Sequence, residues 1–338
     1  MEYSIEKLVF YLRGFFAAPI ICELSKRKIF RFSKNKAVFD LDQLKKIKSK
    51  KELKACLNYL IRINLLNKVD KENYEFTNLG TEIFKRANSY YVPHSYREYI
   101  LNLSNILDKK INLSRLKVDR DENIIGSGLT HMRYFPPVLS YFAREEIETV
   151  VDIGCGNGHF LNLMNNNFEN LNLVGFDMSS VSVKAAKKIT KNKSNKLFIF
   201  KEDASKIAKW EKKIRNYTKG KKTVFFFWFL LHEISNNKKS VIINFLKDVK
   251  KKFPNSKIVI CELTKQSKEI FEINSEKTLM PEYLLFHDFS GQGVLSFLDY
   301  KDILSQTGYS LKKEWLFDKN QGKSEGQSEP STFVWILE

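Results

Sequence analysis

Residues 152–158, Asp-Ile-Gly-Cys-Gly-Asn-Gly, put three glycines at alternate positions directly behind the apolar pair Val150 and Val151. Glycine tolerates a left-handed backbone and lets a ligand come close, and a helix starting near His159 would aim its first N–H groups at that ligand. The next expected strand, Asn172 to Phe176, runs into Asp177, whose carboxylate can accept both hydroxyls of a ribose. One strand later Asp203 stands where an adenine amino group would lie. Three features in this order predict a pocket for a nucleoside-containing cofactor. A nicotinamide dinucleotide fits less well. Its Gly-x-Gly-x-x-Gly form requires glycine at 159, which is histidine here, and Asp152 would repel a pyrophosphate while attracting a cationic amino-acid tail.

A second group of residues has the chemistry to move a proton or hold a cation. The strand expected over Thr223 to Phe229 leads into His232 and Glu233, and the one over Lys257 to Glu262 ends on a carboxylate. On neighbouring strands, Glu262 would fix the orientation of the His232 imidazole, as a general base requires. His287, with Asp288 and Gln292 close in sequence, falls in a loop region expected to border the same pocket. His232, His287 and an oxygen donor from Gln292 or Asp288 suit iron(II) or manganese. Arg133 is positioned to grip a substrate carboxylate bidentately or to form an ordinary salt bridge. His131 and His159 read as covering and packing residues, not catalysts.

These side chains need a scaffold, and the apolar pattern supplies one. Strands are expected at Thr149–Ile153, Asn172–Phe176, Lys196–Phe200, Thr223–Phe229, Lys257–Glu262, Ser310–Phe317 and Thr332–Leu337. The first five alternate with helical patterns, which predicts an α/β fold with a parallel sheet covered by helices on both faces. The last two would form a hairpin at the sheet edge across the polar stretch Asp318 to Pro330. Residues 1–100 read as mostly helical, beginning with a stripe of Ile5, Leu8, Val9, Leu12, Phe15 and Phe16 that Pro19 interrupts. A helix from Lys51 to Leu66, a polar-tipped hairpin and a helix from about Leu79 make a winged-helix pattern, suited to dimerisation or DNA binding. The expected domains are therefore 1–100, a linker over 101–130, and 131–338.

Bulk composition narrows the setting. The chain has 338 residues, enough for one large and one smaller domain, and is 43% hydrophobic. The longest apolar run, Val224 to Leu231, is too short to cross a bilayer, and the N-terminus lacks a basic region followed by an apolar stretch. Cysteines 22, 56, 155 and 261 are scattered without a Cys-x-x-Cys pair, as expected in a reducing cytoplasm. The formal charge of +18 comes mainly from lysines spread end to end, which reads as solvated faces instead of a nucleic-acid stripe.

The motif Val-Asp-Ile-Gly-Cys-Gly-Asn-Gly, with its ordered acids, resembles class I S-adenosylmethionine methyltransferases over roughly residues 130–338. That resemblance implies a Rossmann-like seven-stranded sheet, with Gly154 and Gly156 lining the methionine part, Asp177 on the ribose and Asp203 at the adenine. With the N-terminal winged helix, the whole chain is similar to plant-type O-methyltransferases and their bacterial relatives. Their His-Asp base then corresponds to His232-Glu233, their later acid to Glu262, and their assembly implies a homodimer. Where that family has Gly-Gly-x-Glu-Arg, this chain has His287-Asp-Phe-Ser-Gly-Gln-Gly. The departure looks like metal-dependent C-methyltransferases of 2-oxo acids, of the phenylpyruvate and 2-ketoarginine type, and mononuclear-iron methyltransferases that begin polyketide pathways. A metal would stabilise the enolate of a small-molecule or carrier-bound acyl acceptor. Two alternatives stay open: a metal-free O-methyltransferase with His232 as base, and a winged-helix regulator.

Overall fold

The computed structural model describes residues 5–33, 36–70, 73–189, 194–235, 238–267, 280–317, 320–321 and 328–338. It divides into two units. The first comprises Met1–Glu98 and Val118–Thr130, the second Tyr99–Lys117 and His131–Glu338. The stretch expected to be a linker over 101–130 is thus shared out, its first part belonging to the larger unit and its end to the smaller.

In the smaller unit, β1 (Phe30–Ser33) pairs antiparallel with β2 (Lys36–Phe39), and β3 (Leu66–Lys68) with β4 (Tyr74–Phe76). The helix Lys50–Arg62 precedes the β3–β4 wing, and Asn64 turns the chain with a positive φ of 62°. The helix Asn78–Lys85 follows, capped by Thr77, whose hydroxyl accepts the Gly80 N–H at 2.9 Å. Gly80 is required there, because a Cβ would fall 1.9 Å from the Leu65 carbonyl oxygen. The expected winged helix is present, with Ile21, Leu24, Leu57, Leu60 and Phe84 in its core. Its opening helix departs from expectation, running unbroken from Ile5 to Lys26 with Pro19 inside it. Among the described residues this helix alone has the length and apolarity to cross a membrane. Its first four turns carry their apolar side chains exposed, and its last two enter the core.

The larger unit is built on β5 (Thr149–Ile153), β6 (Asn172–Asp177), β7 (Lys196–Lys201), β8 (Thr223–Trp228), β9 (Lys257–Leu263) and β10 (Leu311–Phe317). The short pair β11 (Asn320–Gln321) and β12 (Ser328–Glu329) precedes the last strand, β13 (Thr332–Leu337). The seven-stranded order is β10-β13-β9-β8-β5-β6-β7. Strands β5 to β9 run parallel, while β13 lies antiparallel between β9 and β10. Because helices cover both faces, β5, β8 and β13 are buried at every position and read as continuous apolar runs. Val151, Phe225 and Phe227 face one layer of the core; Val150, Phe226 and Trp228 face the other. The chain winds from β5 out to β7, then returns to β8 on the opposite side. The carboxyl ends of β5 and β8 therefore flank the topological switch point, where doubly wound sheets bind ligands.

Candidate active site

At the end of β5 the backbone turns through Gly154, Gly156 and Gly158, with φ of +78°, +54° and +80°. The Gly154 and Cys155 N–H groups both donate to the Phe176 carbonyl at 2.8 Å, which ties the turn to β6. Gly158 opens the helix His159–Asn167, and a Cβ on it would sit 2.5 Å from Ile189 Cδ1. Asp177 completes the cradle, accepting the Gly156 N–H at 2.9 Å and the Ser179 N–H at 2.7 Å.

Asp152 is buried in β5, and its Oδ1 has no hydrogen-bond partner among the described residues. Burial, then the charge of Asp177, pushes its carboxyl up to about 8. A buried acid without a donor is costly unless a bound group satisfies it. Asp203 lies just beyond β7, half-buried, with Oδ1 accepting from the Ser205 N–H at 2.9 Å and its hydroxyl at 2.8 Å. Three acids thus step across adjacent strands spaced about 4.8 Å apart, a span suited to an amino-acid tail, ribose and base. These residues fit S-adenosylmethionine.

Next to this cradle, His232 lies in the short helix Leu231–Ser235 after β8, and Glu262 in β9; both are buried. Glu262 Oε1 accepts the Leu231 N–H at 2.6 Å and the His232 N–H at 3.4 Å, while His232 Nδ1 meets Oε2 at 2.7 Å. One carboxylate thereby holds both the backbone and the ring. Burial alone would lower the His232 pKa, but the Glu262 charge and hydrogen bond outweigh it, and the net shift is upward. The neighbouring Glu233, expected to share the catalytic role, is exposed and acts on His232 through its charge.

His287 does not sit on the expected loop. It belongs to the helix Met280–Ser290 and is buried, its ring centroid 5.0 Å from that of His232 at an interplanar angle of 66°. Its Nδ1 donates to the Tyr283 carbonyl at 2.5 Å. Both imidazoles thus turn Nδ1–H toward a protein acceptor, which in the neutral ring puts the lone pair on Nε2. Asp288 is exposed. Gln292 donates its N–H to the His287 carbonyl at 2.9 Å, and its Oε1 accepts from Ser290 at 3.2 Å. Among the described residues no cluster of three His, Cys, Asp or Glu donors forms around His232. Phe286 is buried and Phe289 half-buried; residues 268–279 lie outside the described residues.

Arg133 is exposed, with its guanidinium 4.7 Å over the Tyr134 ring and Nη2 donating to the Tyr134 hydroxyl at 2.5 Å. His131, expected only to cover the pocket, stacks on Phe229 at 4.0 Å and 25°, and is coupled electrostatically to His232. Its position next to a helical segment of mixed polarity offered no sequence signal for that placement. Phe229 itself has a φ of +49°, an outlying conformation for a bulky residue that marks the turn from β8 toward His232.

In the smaller unit, Cys22, His94 and Glu122 bring their donor atoms together. Glu122 already pairs with Lys26 and with Arg97 at 2.9 Å, and burial pushes the Cys22 thiol up to about 12. Two cations and a protonated thiol describe an internal ion cluster, not a metal centre.

Residues 145–270 match the methyltransferase domain family model, and residues 13–110 match that of the AprA winged helix domain. No curated protein matches the sequence. Human N-acetylserotonin methyltransferase, solved with S-adenosylmethionine, has a similar structure, with a TM-score of 0.61 and 13% identity over 100% of this chain and 98% of that one. Mitomycin 7-O-methyltransferase MmcR gives 0.58 and 12% over 98% and 96%, and the dimethyltransferase RosA from Streptomyces davawensis 0.57 and 13% over 99% and 99%. Those likenesses establish a common fold. With the family match across the glycine turn and strands β5 to β9, the larger unit is an S-adenosylmethionine-dependent methyltransferase domain, and the smaller a winged helix.

Proposed function

We propose that this enzyme methylates a carbon beside the carbonyl of a chelating acyl acceptor such as a 2-oxo acid, with metal assistance. The observation that carries the reading is the approach of His232 and His287 with each Nδ1 anchored, by Glu262 and by the Tyr283 carbonyl. Anchoring one ring nitrogen of a histidine on a carboxylate or carbonyl fixes the tautomer and raises the donor strength of the other. Two such neutral donors suit iron(II) or manganese. The ion would supply Lewis acidity, making the carbon acidic by stabilising its enolate. S-adenosylmethionine supplies an electrophilic methyl on sulfur. On this reading Asp152 meets the cofactor's ammonium tail, Asp177 its ribose and Asp203 its adenine, with Gly154 and Gly156 admitting it closely. Glu262 keeps His232 from rotating, and the dry sheet edge strengthens every charge interaction there. Gln292, Asp288 and Arg133 are secondary candidates for completing the acceptor site.

The test is transfer of labelled methyl to phenylpyruvate and other 2-oxo acids, with and without iron or manganese, alongside metal content of the wild type and His287→Ala. Stoichiometric metal lost together with turnover in the variant is expected. Full turnover after exhaustive chelation would sink the metal assignment. The buried His232–Glu262 pair favours a second reading, in which His232 takes the proton from a hydroxyl and the enzyme methylates oxygen without metal. That reading expects catechol to be methylated equally well in chelator.

A further inference from the structure

Deepening the proposed reading of this site, and resting on it, we infer that His131 is an acceptor-positioning residue: a stacked imidazole that hydrogen-bonds the acceptor and exchanges no proton with it.

Three observations converge on this residue. Its place is fixed. The short turn His131–Tyr134 is pinned by Tyr134, which is buried and whose hydroxyl lies 3.1 Å from Thr332 Oγ1. Phe229, beneath the imidazole, is held in its left-handed conformation by an N–H bond to the Cys261 carbonyl at 2.8 Å. Its contacts use only a face. The ring lies 4.0 Å from that of Phe229, and neither ring nitrogen makes a hydrogen bond among the described residues, although the side chain is half-buried. A half-buried imidazole with both nitrogens unused keeps two polar edges available to a ligand. Its surroundings, finally, set its charge. Burial first, then His232, His159 and Arg133, push its pKa down to about 3.

Its stacking partner also locates it. Phe229 lies just past the carboxyl end of β8 and three residues before His232, so His131 stands beside the candidate reaction centre. A cationic group there would oppose a sulfonium. A neutral imidazole offers one N–H and one lone pair without that penalty. The N–H fits an acceptor oxygen, such as the carboxylate of a 2-oxo acid.

The inference is tested with His131→Phe, which keeps a flat ring for stacking but loses both nitrogens, and His131→Asn, which keeps a donor. Acceptor KM and kcat are measured with phenylpyruvate, or with catechol if only hydroxyl acceptors turn over. S-adenosylhomocysteine affinity is measured by calorimetry, and activity is followed from pH 5 to 9. For His131→Phe the expected result is an acceptor KM raised about tenfold or more, the range for losing one hydrogen bond to a charged group. His131→Asn should recover part of that loss, with S-adenosylhomocysteine affinity and the acid limb of the pH profile unmoved. An unchanged KM in His131→Phe overturns the inference. So does a parallel loss of S-adenosylhomocysteine affinity, which assigns the ring to the cofactor, or loss of the acid limb, which makes it a base. Failure of the proposed function is separable, since it appears in wild type as turnover indifferent to chelator and to His287→Ala, whatever happens at 131.

Discussion

Two phenylalanine-bearing apolar stretches of this chain have opposite fates. In β8, Phe225, Phe226 and Phe227 are completely buried, whereas in the opening helix Phe10 is 74% and Phe15 63% exposed. The strand is covered on both faces by helices of its own unit. The helix exposes apolar side chains along its first four turns, and its own unit covers only its last two. Hydrophobicity therefore specifies that a surface needs a cover, not what provides it. The first four turns also carry Glu6, Lys7 and Arg13. The homodimer that the resemblance implies would assign that cover to a second copy of the chain.

The sharpest way to break the comparison is to truncate one phenylalanine in each region. Phe227→Ala should cost about 3–5 kcal/mol of stability, as for other fully buried aromatic truncations. Phe10→Ala in dilute, monomeric protein should change it by no more than about 0.5 kcal/mol. Urea titrations of both variants at low protein concentration check this. Equal losses would mean that the helix is covered within its own chain.

The buried stretch leads into the candidate active site, since β8 runs on to His232, which Glu262 of β9 holds. Glu262→Gln removes the charge that holds His232 while preserving volume, so turnover should fall by about 10²–10⁴, the range for a disabled acid–base group. The variant should keep its association state. Phe10→Glu with Phe15→Glu should do the reverse, weakening self-association by about 2 kcal/mol or more if these residues sit at the centre of the interface. Light scattering across a concentration series reads the association. A wild type that stays monomeric at high concentration would contradict the assignment.

What was legible in the sequence follows the same division. All seven strands of the sheet, the winged helix and the His232–Glu262 pair follow from local pattern, because a strand buried on both faces and a glycine turn are specified by neighbours in sequence. Pro19 was expected to interrupt the first helical stripe, but the helix continues through it to Lys26. The fate of residues 101–130 depends on which unit each segment packs with, information that resides in distant residues. His131 was missed for a related reason: its placement rests on Phe229 and Tyr134, and a single histidine before a proline pair has no periodicity to betray it.

The smallest effect, and the most specific to the cofactor cradle, concerns the proton on Asp152. Its carboxyl is pushed up to about 8 in the cofactor-free protein, so at pH 7 the native state holds a proton that the unfolded chain, with an ordinary carboxylate near 3.9, does not. Native stability from this group is fully present below about pH 4 and is lost as pH rises through 8. An ammonium tail beside Asp152 favours the charged form and lowers its pKa. Binding S-adenosylhomocysteine at pH 7 should therefore release up to one proton, and its affinity should climb with pH, by at most about tenfold per unit, before levelling above 8. Calorimetry in two buffers of different ionisation enthalpy measures the proton directly. Asp152→Asn should abolish both the release and the slope, whereas the exposed-helix variants should retain them. Proton uptake, or a flat profile in the wild type, would separate Asp152 from the amino-acid tail and leave its unsatisfied oxygen to another partner.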